Sequence, residues 1–308
     1  MPEARVTIKN GLSYYKKFIP MYLMMVPGLA YLLVYRYMPM AGLTIAFQRY
    51  TITRGLFNSP WVGFENFSRL FNSPNFKLIL TNTVIISLYK IIFEFPAPII
   101  LALLLNDLMS VKFKRVLQTA YYLPHFISWV VLGNIVFILI APSSGAISRL
   151  YMQITGHSQL DLMMNPNTFR GLLVTLDIWK EVGWGSIIYI SALNGIDVNL
   201  YEASKVDGAN RRQQLYYITL PGLIPVIMTM LLLRIGRIMN AGFEQIFILQ
   251  NNMVYKVSEI LDTFIYKVSF LQGQPARGAA AGLFKSIIGL VLVVGTNKLA
   301  KRFDQEVI

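Results

Sequence analysis

The side chains able to do chemistry in this chain are mostly embedded in long apolar blocks. Lys90 and Glu94 lie in one block, Asp177, Lys180 and Glu181 in a second, Arg234 and Arg237 in a third, and Lys285 in a fourth. An ionised group in hydrocarbon is costly unless it pairs or lines a watery path, so such residues mark ion pairs or a pathway. Other chemistry is poorly supplied. The chain has no cysteine, hence no disulfide framework, thiolate metal site or cysteine nucleophile. Its two histidines, His125 and His157, fall in no H-E-x-x-H pattern, and no metal site is expected. No G-x-x-x-x-G-K-[ST] run occurs, so nucleotide hydrolysis would need another chain. Nothing combines a nucleophile with a base, and the chain is not expected to be an enzyme by itself.

The elements that carry these groups read as membrane spans. Of 308 residues, 55% are hydrophobic and 14% charged, against about 25% charged in soluble domains. A span needs about 20 mainly apolar residues, and this criterion gives about six: 21–47, 78–105, 116–141, 169–193, 220–239 and 279–299. The first is too long for a signal-peptide core and reads as retained. The expected fold is all-α, a polytopic transmembrane bundle at 21–303, with a polar N-terminal segment at 1–20 and a tail at 304–308.

The formal charge of +13 does not form one arginine-rich patch, which argues against nucleic acid as a partner. Basic residues instead flank the blocks. Arg5, Lys9, Lys16, Lys17, Lys112, Lys114, Arg115, Lys205, Arg211, Arg212, Lys298, Lys301 and Arg302 fall on the side of the termini, in shorter segments than those on the other side. This places both termini in the cytoplasm. A stretch at 257–268 has apolar Ile260, Leu261, Phe264 and Ile265 at helical spacing, suiting a helix on the membrane surface or against the bundle.

Depth sorts the intramembrane charges. At 1.5 Å per residue, Glu181 and Asp177 lie roughly 18 and 24 Å from the inner end of their span, and Arg234 and Arg237 roughly 20 and 24 Å from theirs. Lys90 and Glu94 reach the same level, four residues apart as in a helical pair. Lys285 and Arg36 lie toward outer ends and can snorkel. One reading of this polar layer is structural pairing, Asp177 with Arg237 and Glu181 with Arg234. The other is a hydrophilic pathway for sugar hydroxyls or uronate carboxylates, lined by Asp177, Lys180, Glu181, Trp184, Arg234, Arg237, Asn240, Phe243 and Glu244. Arginine suits a planar carboxylate through its fork. Trp179, Trp184 and Phe243 suit either a sugar platform or ordinary interface anchoring.

The inner loop at 194–221 carries the most specific pattern. Asp197 or Asn199 can cap a short helix, Gly208 can end it in a left-handed turn, a second short helix fits 210–217, and Pro221 suits the first turn of the next span. Glu202, Lys205, Arg211 and Arg212 would stand on a small exposed ridge. Tyr201-Glu202-Ala203-Ser204, then Gly208, then Ile218-Thr219-Leu220-Pro221 resembles the EAA loop of binding-protein-dependent ABC importer permeases, with Ser204 in place of a third alanine. Further stretches resemble the oligosaccharide- and polysaccharide-importing branch of that family: Tyr37-Met38-Pro39-Met40, Trp61-Val62-Gly63-Phe64, Leu123-Pro124-His125-Phe126, Gly236 to Gln245, and Ala281 to Ser286.

The resemblance implies a type I ABC importer permease in a bacterial plasma membrane, importing oligosaccharides by alternating access. It implies an ATPase-coupling surface at Glu202, Ala203, Ser204, Asp207, Gly208, Ala209, Arg211 and Arg212. It also implies a second homologous permease subunit, two ATP-binding subunits that hold ATP and magnesium, an extracytoplasmic solute-binding protein, a carbohydrate substrate and membrane lipid. The rival class is an ion-coupled secondary transporter, which would explain the intramembrane charges but predicts repeated halves that are not visible here.

Overall fold

The computed structural model describes residues 18–108, 110–142, 144–156 and 161–301. Arg5, Lys9, Lys16, Lys17, His157, Arg302 and the tail at 304–308 lie outside them. Among the described residues the chain is helical, apart from one isolated bridge between Gln48 and Trp61. Four helices are long and apolar enough to cross a membrane, or five if one bent pair is a single span.

Helix α1, Ile19–Phe47, holds no buried residue before Ala46 apart from half-buried positions near its end. Its terminal turns, Met38–Phe47, pack on the last helix, while the rest projects from the bundle. After the short α2, Glu65–Phe71, helix α3 runs from Phe76 to Asn106. It widens into a π-turn over Lys90–Glu94, the segment that carries both charges.

The expected span at 116–141 is not one rod. Helix α4, Val111–Phe126, and helix α5, Trp129–Ile140, meet at a bend of 100°. Pro124 tightens the last turn of α4 into a 3-10 geometry. Ile127 and Ser128 are extended, and the Ser128 hydroxyl caps α5 by accepting from the Val131 N–H at 3.3 Å. Helix α6, Ala146–Thr155, follows.

Helix α7, Pro166–Asn194, is 29 residues long, yet interrupted in apolar character by Asp177, Lys180 and Glu181. It is the central post. Its C-terminal half packs on α3 through Ala102, Leu105, Tyr189, Ile190 and Leu193. Its N-terminal half buries Phe169, Leu172 and Leu173 against α5. Gly183 admits α4 to direct backbone contact, since a Cβ there would lie 2.0 Å from the Tyr121 carbonyl oxygen.

Helix α8, Val198–Val206, lies between the C-terminal end of α7 and the start of α9, Arg211–Gly236. Helix α9 begins ten residues before Pro221, so the second short helix expected at 210–217 is the first part of this rod. A π-turn at Leu215–Thr219 passes the chain into Leu220–Gly236, and Pro221 occupies the first turn after it. The segment expected as one helix at 257–268 breaks at Glu259 and Ile260 into α11, Tyr255–Ser258, and α12, Leu261–Tyr266. Both follow α10, Phe243–Leu249. Ile260, Leu261 and Phe264 are buried, so this segment packs against the bundle. Helix α13, Pro275–Lys301, closes the fold along α9, α12 and α1.

Candidate functional site

A cavity of about 590 Å³ opens between α3, α7 and the C-terminal end of α9. Asp177, Glu181, Trp184, Arg234, Arg237 and Asn240, all singled out in the sequence, line it, together with Glu94 and Tyr189. The depth argument therefore found the layer. The pairing within it differs from the expected one.

Asp177 does not face Arg237. Its Oδ2 lies 2.6 Å from Nζ of Lys90, with both side chains almost wholly buried. Lys90 also donates to Gln245 Oε1 at 2.8 Å, and Gln245 in turn donates through Nε2 to the Leu173 carbonyl at 2.6 Å. Lys90 and Glu94 do not pair with each other. Glu94 instead accepts from Arg234 Nη2 at 2.6 Å, so Arg234 is not the partner of Glu181. Glu181 is held by Lys180 at 2.9 Å and lies 2.7 Å from His125 Nδ1. Lys180 also donates to the His125 carbonyl at 2.8 Å, satisfying the backbone where α4 breaks. The His125 ring lies parallel to Trp184, 4.5 Å away at an angle of 2°.

Helix termination explains the displaced arginine. Arg234 and Arg237 would share a face only if α9 continued, but Arg237 sits at φ −103 and ψ 17, outside helical geometry. It is exposed, and no carboxylate among the described residues lies within ion-pair distance of it. Two further candidates leave the site for a related reason. Gly242 takes φ +98, and the chain turns into α10. Phe243 is carried into ring contact with Phe247 and Tyr266, and Glu244 points out from the first turn, so neither lines the cavity. Lys180 is buried behind Glu181 rather than on the wall. Trp179 is half exposed and also off it. Lys285 pairs with Asp262 instead of snorkelling free.

Two contributors escaped the sequence reading. His125 is read in the sequence as a rejected metal ligand and as part of the Leu123-Pro124-His125-Phe126 stretch, and its contact with Glu181 beside the Pro124 helix break is new. Gln245 closes the Gly236 to Gln245 stretch with no role assigned to it from sequence, and it is 1% exposed. A Cβ on Gly242 would lie 2.6 Å from Lys90 Nζ, so the glycine is required for this junction.

The second site is the inner loop. Asp197 caps α8 by accepting from the Asn199 N–H at 2.9 Å. Gly208 ends the turn at φ +79, a conformation that costs glycine little. Asn210 and Gln213 form a reciprocal capping box at the start of α9. Ser204 does more than replace a small residue: its hydroxyl accepts from Gln214 Nε2 at 2.9 Å and ties α8 to α9. Tyr201 and Thr219 are joined at 2.9 Å. Glu202, Ala203, Lys205, Asp207, Gly208, Arg211 and Arg212 are exposed, while Ala209 is half-buried. Apolar Val198, Leu200 and Val206 are exposed beside them, Val206 at 89%.

Residues 94–308 match the family model of the binding-protein-dependent transport system inner membrane component. The chain is 42% identical over 286 residues to Protein LplB of Bacillus subtilis (strain 168), covering 93% of this chain and 90% of that one. It is 42% identical over 286 residues to the polygalacturonan/rhamnogalacturonan transport system permease protein YteP of the same organism, covering 93% of this chain and 89% of that one. A chain in the crystal structure of a bacterial alginate ABC transporter in complex with alginate pentasaccharide-bound periplasmic protein superposes with a TM-score of 0.89 at 33% identity, covering 96% of this chain and 99% of that one.

Proposed function

The chain belongs to the family of inner membrane components of binding-protein-dependent transport systems, as the permease of an ATP-driven oligosaccharide or polysaccharide importer, and from that premise we propose how its two sites work together. Helix α9 is the observation that carries the proposal. It starts at the exposed ridge around Gly208 and ends at the cavity arginines. From Arg211 to Arg234 the rise is roughly 34 Å, about the thickness of a bilayer core. A push on the ridge therefore reaches the cavity along one helix.

The ridge is the dock for a separate ATP-binding subunit. Glu202 and the surrounding basic residues supply charge, and Val198, Leu200 and Val206 supply apolar contact. The capping box and the Ser204–Gln214 bond hold α8 against α9, so the two move together. ATP and magnesium reside on two such subunits, and a second related permease completes the pathway. The termini and the ridge face the cytoplasm, and the opposite face receives substrate from an extracytoplasmic binding protein. Relatives named for polygalacturonan and alginate transport support an acidic glycan as substrate. Arg237 then meets a carboxylate or hydroxyl of the sugar, and Trp184, backed by the parallel His125 ring, offers its free face to a pyranose.

The test is uptake in proteoliposomes that contain the permease pair, the ATPases and the binding protein. Arg237→Ala should assemble normally, keep ATP hydrolysis stimulated by the loaded binding protein, and lose most uptake of an acidic oligosaccharide. Normal uptake by this variant would remove Arg237 from the pathway. ATP-independent uptake driven by an ion gradient would overturn the mechanism.

A further inference from the structure

A second cleft, of about 530 Å³, lies on the outer side away from the cavity. It is formed where the ends of α1 and α2 meet the start of α13, and it shares no lining residue with the cavity. Its wall carries Arg49, Arg69 and Arg277, and no carboxylate lines it. Glu65 sits behind the wall and bonds both Arg49 and Arg69. The hydrogen bond from Arg49, ahead of the attraction of Arg69, holds the Glu65 carboxyl below the ordinary carboxylate range, so it stays ionised. One carboxylate against two guanidiniums leaves one positive charge.

Arg277 adds another. It makes no ion pair among the described residues, its guanidinium rests 5.4 Å over the Phe264 ring, and its Nε–H is buried without an acceptor. The cleft thus holds a net charge of about two, exposed to a concave space. Around the arginines stand Tyr50, Ser73 and Gln274, whose side chains make no hydrogen bond with the described residues. Guanidinium forks recognise carboxylates in two-point fashion. Free hydroxyl and amide groups suit sugar hydroxyls, and a tyrosine ring suits a sugar face. The volume falls in the range of about 300–1,000 Å³ usual for small-ligand pockets rather than flat protein-docking faces.

We propose that this outer cleft is a second glycan site, which binds an acidic sugar unit through Arg49, Arg69 and Arg277 before the chain enters the cavity. The proposal rests on the reading of the protein as an oligosaccharide permease and adds a subsite to it. The cleft selects for charge at a place separate from the cavity, and the cavity meets the sugar afterwards.

The experiment uses the assembled permease–ATPase complex in proteoliposomes without binding protein. The probes are a galacturonate trisaccharide and its carboxyl-reduced counterpart, with binding measured calorimetrically. The intact complex should prefer the acidic trisaccharide. Arg277→Gln and Arg69→Gln should each weaken its binding roughly tenfold, the scale of one charge-assisted contact, and leave the reduced sugar unaffected. Arg277→Lys should fall between, because it keeps the charge but loses the fork, and Arg237→Ala should retain this outer binding. Equal binding of both sugars, no binding of the acid, or no response to the arginine variants would overturn the proposal. Variants that lose affinity for the sugar-free binding protein but not for the trisaccharide would make the cleft a protein dock and overturn it too. Failure of the broader reading would look different: the complete wild-type system would import no oligosaccharide at all.

Discussion

Removing Lys90 should damage the protein more than removing any arginine of the cavity. Lys90 Nζ is 2.6 Å from Asp177 Oδ2, and the two side chains are 4% and 12% exposed. With an effective dielectric constant of about 20, two unit charges at this distance attract by about 6 kcal/mol before desolvation is counted. The relevant quantity is smaller, because Lys90→Met removes the attraction yet leaves the Asp177 carboxylate buried. Breaking one side of such a pair typically costs about 3–5 kcal/mol. A second loss follows at Gln245, whose Oε1 gives up its donor, worth about 1–3 kcal/mol for a buried acceptor left unbonded.

The assay is reversible unfolding in mixed micelles, read through tryptophan fluorescence, on single and double variants. Lys90→Met should lose about 3–5 kcal/mol from the stranded carboxylate and about 1–3 kcal/mol more at Gln245, and Lys90→Met with Asp177→Leu should regain the first part, since no charge is then stranded. The remaining deficit should be the Gln245 contribution, which the double variant does not repair. Arg237→Ala is the control and should unfold like wild type, because Arg237 is exposed and has no carboxylate partner. Wild-type stability in Lys90→Met would refute the pairing, and so would a double variant as weak as the single.

Other outcomes follow from single positions. Gly242→Ala should lower stability and expression, because a Cβ would meet Lys90 Nζ at 2.6 Å and alanine is strained at φ +98; thermal unfolding of the purified complex checks this. Glu202→Ala and Gly208→Pro should leave the permease in the membrane but reduce co-purification of the ATPase, the second because proline cannot adopt φ +79. Undiminished recovery with full stimulated hydrolysis would exclude the ridge as the dock. The absence of cysteine makes topology easy to test. Ser144→Cys should react with an impermeant maleimide from outside and Gln213→Cys should not, and the reverse pattern would invert the orientation.

Much of this architecture was legible because it depends on local rules. Apolar length marks four helices able to cross a membrane among the described residues, or five with the bent pair, against about six expected, and Asp197, one of the two cap candidates, and Gly208 mark the cap and the turn of the loop at 194–221. Depth along a helix follows from a fixed rise per residue, which is why Asp177, Glu181, Arg234 and Arg237 do share one cavity. The partners were not legible. Which carboxylate meets which cation depends on how each helix is rotated and where it ends, and these are tertiary quantities. The π-turn at Lys90–Glu94 splits two residues that α-helical spacing pairs, sending one toward α7 and the other toward α9. The end of α9 at Gly236 separates Arg237 from Arg234. The bend between α4 and α5 was hidden for a different reason: the single polar Ser128 lies between apolar Ile127 and Trp129 and reads as a tolerated residue within a span, whereas the helix ends there and its hydroxyl caps the next one.

The corrected pairing also sharpens what the cavity offers a substrate. Asp177 is neutralised by Lys90, Glu94 by Arg234, and Glu181 by Lys180. Each acid on the wall is therefore matched, and Arg237 remains as the cation without a match among the described residues. Paired groups are poor ligands for a sugar, because each would have to exchange an ion pair in low dielectric for a new contact. An exposed guanidinium faces no such cost, since it exchanges water. Its neighbour Asn240 is exposed on the same wall and can both donate and accept. The polar layer thus divides into a locked part that holds α3, α7 and α9 together and a free part, Arg237 with Asn240, at the far end of the helix that starts beside the exposed ridge at Gly208. Arg237 lies just past the last turn of α9, three residues beyond the paired Arg234, so a displacement of α9 that moves Arg237 must also shift or exchange the Arg234–Glu94 pair. In the pathway, uptake should therefore respond to Arg237 and Asn240 and stability to Lys90 and Asp177, with little exchange between the two sets.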